Sequence, residues 1–130
     1  KDGEEHRLEG PSSIMYEHGK IILETWCING KRHRDDGPSH IYYEEGILIE
    51  EDWYQNGVLH RLDGPALTTI FEKNKIENWY QNGLLHRLDG PAVITYEKVG
   101  ETRDEDDNII LLFNIIKEEW YENNIPYFQN

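Results

Sequence analysis

The groups in this chain best suited to chemistry sit together in one short string. H-R-x-x-G-P occurs at His6–Pro11, His33–Pro38, His60–Pro65 and His86–Pro91, with Glu9, Asp36, Asp63 and Asp89 as the acid. An imidazole beside a carboxylate is the material of a zinc site or of a general acid–base pair. The copy number argues against both. One histidine and one carboxylate are too few ligands for a closed metal site, and copies about 10 Å apart, two strands on, cannot easily share one. A catalytic constellation is normally unique. The string therefore reads as architecture, in which the acid and Gly shape a tight turn and Pro fixes the entry to a strand. Arg34, Arg61 and Arg87 are expected to pair with a column of glutamates, and His33, His60 and His86 to bond the turn backbone. No metal is expected at these histidines.

The elements that position this string follow from its spacing. The four histidines are 27, 27 and 26 residues apart. A second string, W-x-x-N-G or its variant, recurs at Trp26–Gly30, Trp53–Gly57, Trp79–Gly83 and Trp120–Asn124. A fixed period of this size marks a repeat architecture, in which each unit buries its apolar face against its neighbours. The chain reads as one domain over 1–130, with repeats at about 6–32, 33–59, 60–85 and 86–127. Asp2–Arg7 aligns with Asn56–Arg61, so the sequence opens inside a repeat. That suggests either a piece of a longer array or a first strand without an upstream neighbour.

Within each unit a run rich in β-branched and aromatic residues precedes a short turn. The turns are expected at His18-Gly19, Glu45-Gly46 and Lys73-Asn74. A second strand runs to the Trp, and Asn-Gly then signals a tight hairpin. Outside residues 98–116 no stretch holds a period of 3.6, so the expected fold is all-β, an elongated antiparallel meander of about four β-hairpins. Alternation places Ser12, Ile14 and Tyr16 on one face, as it does Ser39, Ile41 and Tyr43, and Ala92, Ile94 and Tyr96. The third unit has one residue more between Pro65 and Phe71, which is read as a β-bulge near Thr68–Ile70. Glu24, Glu51, Glu77 and Glu118 each lie two residues before a Trp. Stacked at one strand spacing they would repel by about 3 kcal/mol per contact at an effective dielectric of 20. Two strands per unit separates them by about 10 Å, which favours the meander.

Composition narrows the partners. Thirteen Lys and Arg against 26 Asp and Glu leave a net charge of −13. Direct nucleic-acid binding needs a basic surface, and anionic membranes would repel this one. Aromatics reach 12% while hydrophobic residues make up 37%, which suits a thin structure that stacks Trp and Tyr. The single cysteine, Cys27, stands where other units carry Tyr54, Tyr80 and Tyr121, so it reads as a packing variant.

The pattern W-Y-x-N-G-x-x-H-R-x-D-G-P-A, at Trp53–Ala66 and Trp79–Ala92, resembles a repeat of proteins from large DNA viruses, phages and some bacteria. It is also distantly similar to MORN-type repeats. That likeness implies an elongated antiparallel sheet used in protein assembly or, in some cases, lipid contact. It covers about residues 2–97 and 118–127. This chain departs from the pattern at Trp26-Cys27, at Asp35 in place of Leu, and in an insertion.

The insertion lies in the step from Trp79 to Trp120, and it is where function is expected to concentrate. It holds a solvated acidic tip with Asp104, Glu105, Asp106 and Asp107, then the apolar run Ile109–Ile116. Strict alternation puts Leu111, Phe113 and Ile115 on the face away from Trp120, as the contact row for a partner. The chain shows no nucleophile–base pair, no Gly-rich phosphate loop and no metal cluster. It therefore reads as a non-catalytic interaction or assembly module without a cofactor. Its partner would be a protein, either itself or a host or virion protein. The alternative is an acidic inhibitor or nucleic-acid mimic acting on a host nucleic-acid enzyme or defence protein.

Overall fold

The computed structural model describes residues 11–127, and the first motif's His6, Arg7 and Glu9 lie outside them. The chain is all-β, a meander of antiparallel hairpins. Four long hairpins are β1 (Ser13–Glu17) with β2 (Lys20–Thr25), β5 (His40–Glu44) with β6 (Ile47–Asp52), β9 (Leu67–Phe71) with β10 (Asn74–Asn78), and β13 (Val93–Arg103) with β14 (Ile109–Glu122). Between them lie short ribbons: β3 (Cys27–Ile28) with β4 (Lys31–Arg32), β7 (Tyr54–Gln55) with β8 (Val58–Leu59), and β11 (Tyr80–Gln81) with β12 (Leu84–Leu85). The end of β14 makes a comparable ribbon with β15 (Ile125–Tyr127). The main sheet runs β1-β2-β5-β6-β9-β10-β13-β14-β15.

Each element follows from local chemistry. The ribbon turns are Asn29-Gly30, Asn56-Gly57, Asn82-Gly83 and Asn123-Asn124, with both residues at positive φ in every case. That is the type I′ geometry whose twist matches paired strands, and Asn-Gly tolerates it best. Neighbouring ribbons are tied by backbone bonds: the Gly57 N–H donates to Arg32 O, Gly83 N–H to Leu59 O and Asn124 N–H to Leu85 O, and the N–H groups of Arg34, Arg61 and Arg87 donate to Tyr54 O, Tyr80 O and Tyr121 O. The core is thin. Ser39, Ala66 and Ala92 are completely buried, and Ile41 and Ile94 nearly so. These small and aliphatic residues form the graded row expected from alternation. The row opens at the β1–β2 hairpin, where Ile14 and Tyr16 are exposed.

The register separates the glutamates as a meander should. Glu24 pairs with Ile41, Ile41 with Glu51, Glu51 with Thr68, Thr68 with Glu77, Glu77 with Ile94, and Ile94 with Glu118. An uncharged strand residue thus stands between every two carboxylates.

Three local expectations are corrected. The irregular hairpins are the first, second and fourth: the register skips Ile22 in the first, Ile49 in the second, and Ile116 and Val99 in the fourth, while β9–β10 pairs without a break. Ile70, not Phe71, occupies the position of Tyr43, and Phe71 projects at the tip. The shorter β10 carries no extra residue, so no bulge is needed at Thr68–Ile70. Its turn is Glu72-Lys73, with Glu72 at positive φ, and Asn74 already belongs to β10.

The third correction concerns the insertion. The bulge at Ile116 adds one residue to β14 and reverses its alternation. Ile115 therefore pairs with Tyr96, Phe113 with Lys98, and Glu118 with Ile94. Ile109, Leu111, Phe113 and Ile115 thus share the face of Glu118 and Trp120, where strict alternation had placed Ile110, Leu112 and Ile116.

Candidate functional site

The H-R-x-x-G-P turns resolve into a clamp. Arg34, Arg61 and Arg87 lie flat over Trp26, Trp53 and Trp79, with guanidinium carbons 3.9, 3.9 and 3.7 Å from the ring centroids. Each Nε donates to the acid two residues on, Asp36, Asp63 or Asp89, and each Nη1 donates to the carbonyl of Pro38, Pro65 or Pro91. The expected pairing with the glutamates is replaced by this one, because stacking on the indole turns the guanidinium toward its own turn. The glycine is explained by the same geometry. A Cβ at Gly64 would lie 2.5 Å from the Arg61 guanidinium carbon. The indole nitrogens of Trp26, Trp53, Trp79 and Trp120 are buried without an acceptor, so these rings contribute area and a π-face rather than hydrogen bonds.

The histidines point to the next ribbon. Nδ1 of His33, His60 and His86 accepts the N–H of Asn56, Asn82 and Asn123. In the second turn His33 Nε2 also meets Asp35 at 2.7 Å, the residue that replaces the usual Leu. Where the last unit carries Tyr127, its hydroxyl donates to the Arg87 carbonyl.

The insertion builds a different kind of place. A groove of about 480 Å³ is lined by Ile47, Leu48, Ile70, Leu111 and Phe113 together with Glu51, Glu77, Arg61 and Lys75. On a flat sheet β6 and β14 would be about 19 Å apart, so the sheet must coil to bring them to one groove. The hollow sits over the hairpin that carries Thr68 and Ile70 where the others have Ile and Tyr. Tyr96 and Phe113 meet edge to face at 6.3 Å, and the Lys75 ammonium lies 4.3 Å from the Tyr96 ring and 4.7 Å from that of Phe113. The Tyr96 hydroxyl donates to Glu77. Burial, reinforced by that carboxylate, pushes the Tyr96 hydroxyl up to about 12.

Beyond the groove β14 becomes an edge. Among the described residues its segment Ile109–Glu119 pairs with β13 on one side, and β15 reaches only Trp120–Glu122. Ile110, Leu112, Ile115 and Ile116 are exposed along it. The acidic tip is tied by its own bonds. Asp104 accepts from the backbone N–H of Asp106 and Asn108, and the Arg103 guanidinium donates to the Asp107 carbonyl. The Asn108 amide leads the causes that hold the Asp104 carboxyl below its ordinary value. Glu105, Asp106 and Asp107 are exposed.

One polar cluster escaped the sequence reasoning. In the second hairpin His40 stands opposite Asp52, with Glu50 on the same face. Asp52 is 2% exposed, accepts from Ser39 Oγ and pairs with Arg32 at 3.2 Å. Burial pushes its carboxyl up to about 6, against the opposing pull of Arg32 and Ser39. Burial, then Arg32, lowers the His40 imidazole below its ordinary value. A column comparison would have shown the signal: Ser13, Leu67 and Val93 stand where His40 does, and Thr25, Asn78 and Glu119 where Asp52 does.

No family model, no curated protein and no solved structure matches this chain.

Proposed function

We propose that this protein is a non-catalytic binding module that captures an extended protein segment on the edge of β14. The observation that carries the reading is the one-sided pairing of Ile109–Glu119 along the chain's longest strand. An open edge offers a row of unused N–H and C=O groups, and natural proteins blunt such edges unless something pairs with them. A strand added there would point alternate side chains toward Leu111, Phe113 and Ile115 on the groove side and toward Ile110 and Leu112 on the other. Apolar anchors in the added segment suit both rows. Basic flanks suit the tip at Asp104–Asp107 and the net charge of −13, and they hasten encounter at low salt.

The test uses a labelled peptide of alternating valine and threonine with lysine flanks. Its control has proline at every second position, which removes the N–H donors a ladder needs. Anisotropy should report binding of the first peptide, weaker as salt rises, and at least tenfold weaker binding of the control. Ile110→Lys with Leu112→Lys, both exposed, should leave the circular dichroism unchanged and abolish binding. Equal binding of both peptides, or binding that survives the double substitution, would overturn the reading. Light scattering that shows a dimer dissociated by the same substitutions would assign the edge to a second copy instead.

A further inference from the structure

His40, Glu50 and Asp52 form the one group of at least three potential metal ligands found among the described residues, with one ligand atom from each within 4.8 Å of the others. Their placement follows from strand register. His40 and Asp52 are cross-strand partners, and Glu50 is two residues from Asp52, so all three project to one face. That face is opposite the Ile41–Glu51 row that leads to the groove.

The surrounding groups orient the cluster. Thr25 is the cross-strand partner of His40 on its other side, and its Oγ1 lies 3.2 Å from His40 Nδ1. When Nδ1 carries the proton and donates to that hydroxyl, Nε2 presents a lone pair toward Glu50 Oε2, 3.8 Å away. A lone pair facing a carboxylate repels it unless a cation lies between them. Ser39 Oγ donates to Asp52 Oδ1 and holds that carboxylate in place. Ligands steadied by outer hydrogen bonds of this kind are how proteins prepare a metal site.

We infer that His40 Nε2, Glu50 and Asp52 bind one divalent ion of the zinc class, leaving a coordination position for water. One imidazole with two carboxylates suits zinc, cobalt or manganese better than magnesium or calcium, which favour all-oxygen shells. Bonds of about 2.0–2.2 Å require the ligand atoms to draw closer than they now stand. Glu50, 39% exposed at its side chain, has the freedom to close. Arg32 competes with the ion for Asp52. Its side chain is equally exposed and has solvent to withdraw into. The ion would clip β5 to β6 in the second hairpin, because among the described residues no other hairpin carries this trio in register.

The experiment is a calorimetric titration of the chelator-treated full chain with zinc chloride. One ion per chain is expected. Glu50→Gln, at a half-exposed position that folding tolerates, should weaken binding at least tenfold, and His40→Gln should do the same. Thr25→Val leaves every ligand in place and should still weaken binding tenfold or more by releasing the imidazole. Arg32→Gln should tighten it. No binding by the parent chain, undiminished binding by Glu50→Gln, or weaker binding by Arg32→Gln would each overturn the assignment. A stoichiometry matching the repeated turn histidines would do so as well.

Discussion

Replacing Gly64 with Ala tests the account of the H-R-x-x-G-P turn most directly. Gly64 is not among the positive-φ residues, so alanine brings no backbone strain there. The whole cost must come from Arg61, whose guanidinium carbon and Nε would lie 2.5 and 2.8 Å from the new methyl. These atoms belong to a planar group held from three sides, by Trp53, Asp63 and the Pro65 carbonyl, so the side chain must leave rather than adjust. Leaving forfeits the stack on Trp53, worth about 1–2 kcal/mol where partly desolvated. It also forfeits the bond to the Pro65 carbonyl, worth about 1 kcal/mol. The pair with Asp63 adds little, since that carboxylate is in water. The expected loss is about 2–3 kcal/mol by these magnitudes, measured by urea denaturation. In an Arg61→Ala background the same Gly64→Ala change should cost less than about 0.5 kcal/mol, because nothing remains to collide with. Equal costs in both backgrounds would refute the clamp. Gly57 provides the contrast. It sits at φ +81°, so Gly57→Ala should cost about 1 kcal/mol or more whatever its neighbours do.

Other outcomes follow from the same geometry. Trp53→Ala should cost about 3–5 kcal/mol in the same denaturation assay, whereas Trp53→Phe should cost about 1–2 kcal/mol because the indole N–H has no acceptor to lose. His60→Ala removes the acceptor for the Asn82 N–H and should cost about 0.5–1 kcal/mol, with faster amide exchange at Asn82 as the local readout. The Asp104 carboxyl is depressed, so its hydrogen bonds hold above the ordinary aspartate range and are lost as pH falls through the lower folded value. Amide shifts of Asp106 and Asn108 in an NMR titration should therefore move at a pH below that of a free aspartate, and movement at the ordinary aspartate value would contradict the tip geometry.

Much of this fold was legible in the residue order. Asn-Gly pairs, the period of 26 or 27 residues and the alternation of Ile and Tyr between Gly-Pro and Trp are local signals. Each acts within a few bonds of where it is written. The glutamate columns were legible for another reason: like charges report the strand spacing they can tolerate, and the pairs Glu51–Thr68 and Glu77–Ile94 satisfy that condition.

What depended on tertiary structure was parity and encounter. One skipped residue, Ile116, moves Leu111, Phe113 and Ile115 to the other side of the sheet, and nothing in the apolar run itself marks that slip. The partner of Arg61 was undecidable in sequence because Glu and Asp are equally good acceptors. The flat face of Trp53, which turns the guanidinium toward Asp63, chose between them. His40, Glu50 and Asp52 are unremarkable as written, and only antiparallel pairing of β5 with β6 places an imidazole opposite a buried carboxylate. The groove likewise needed coiling to carry Leu111 and Phe113 toward Ile47, across a distance that pairing rules alone would have kept open.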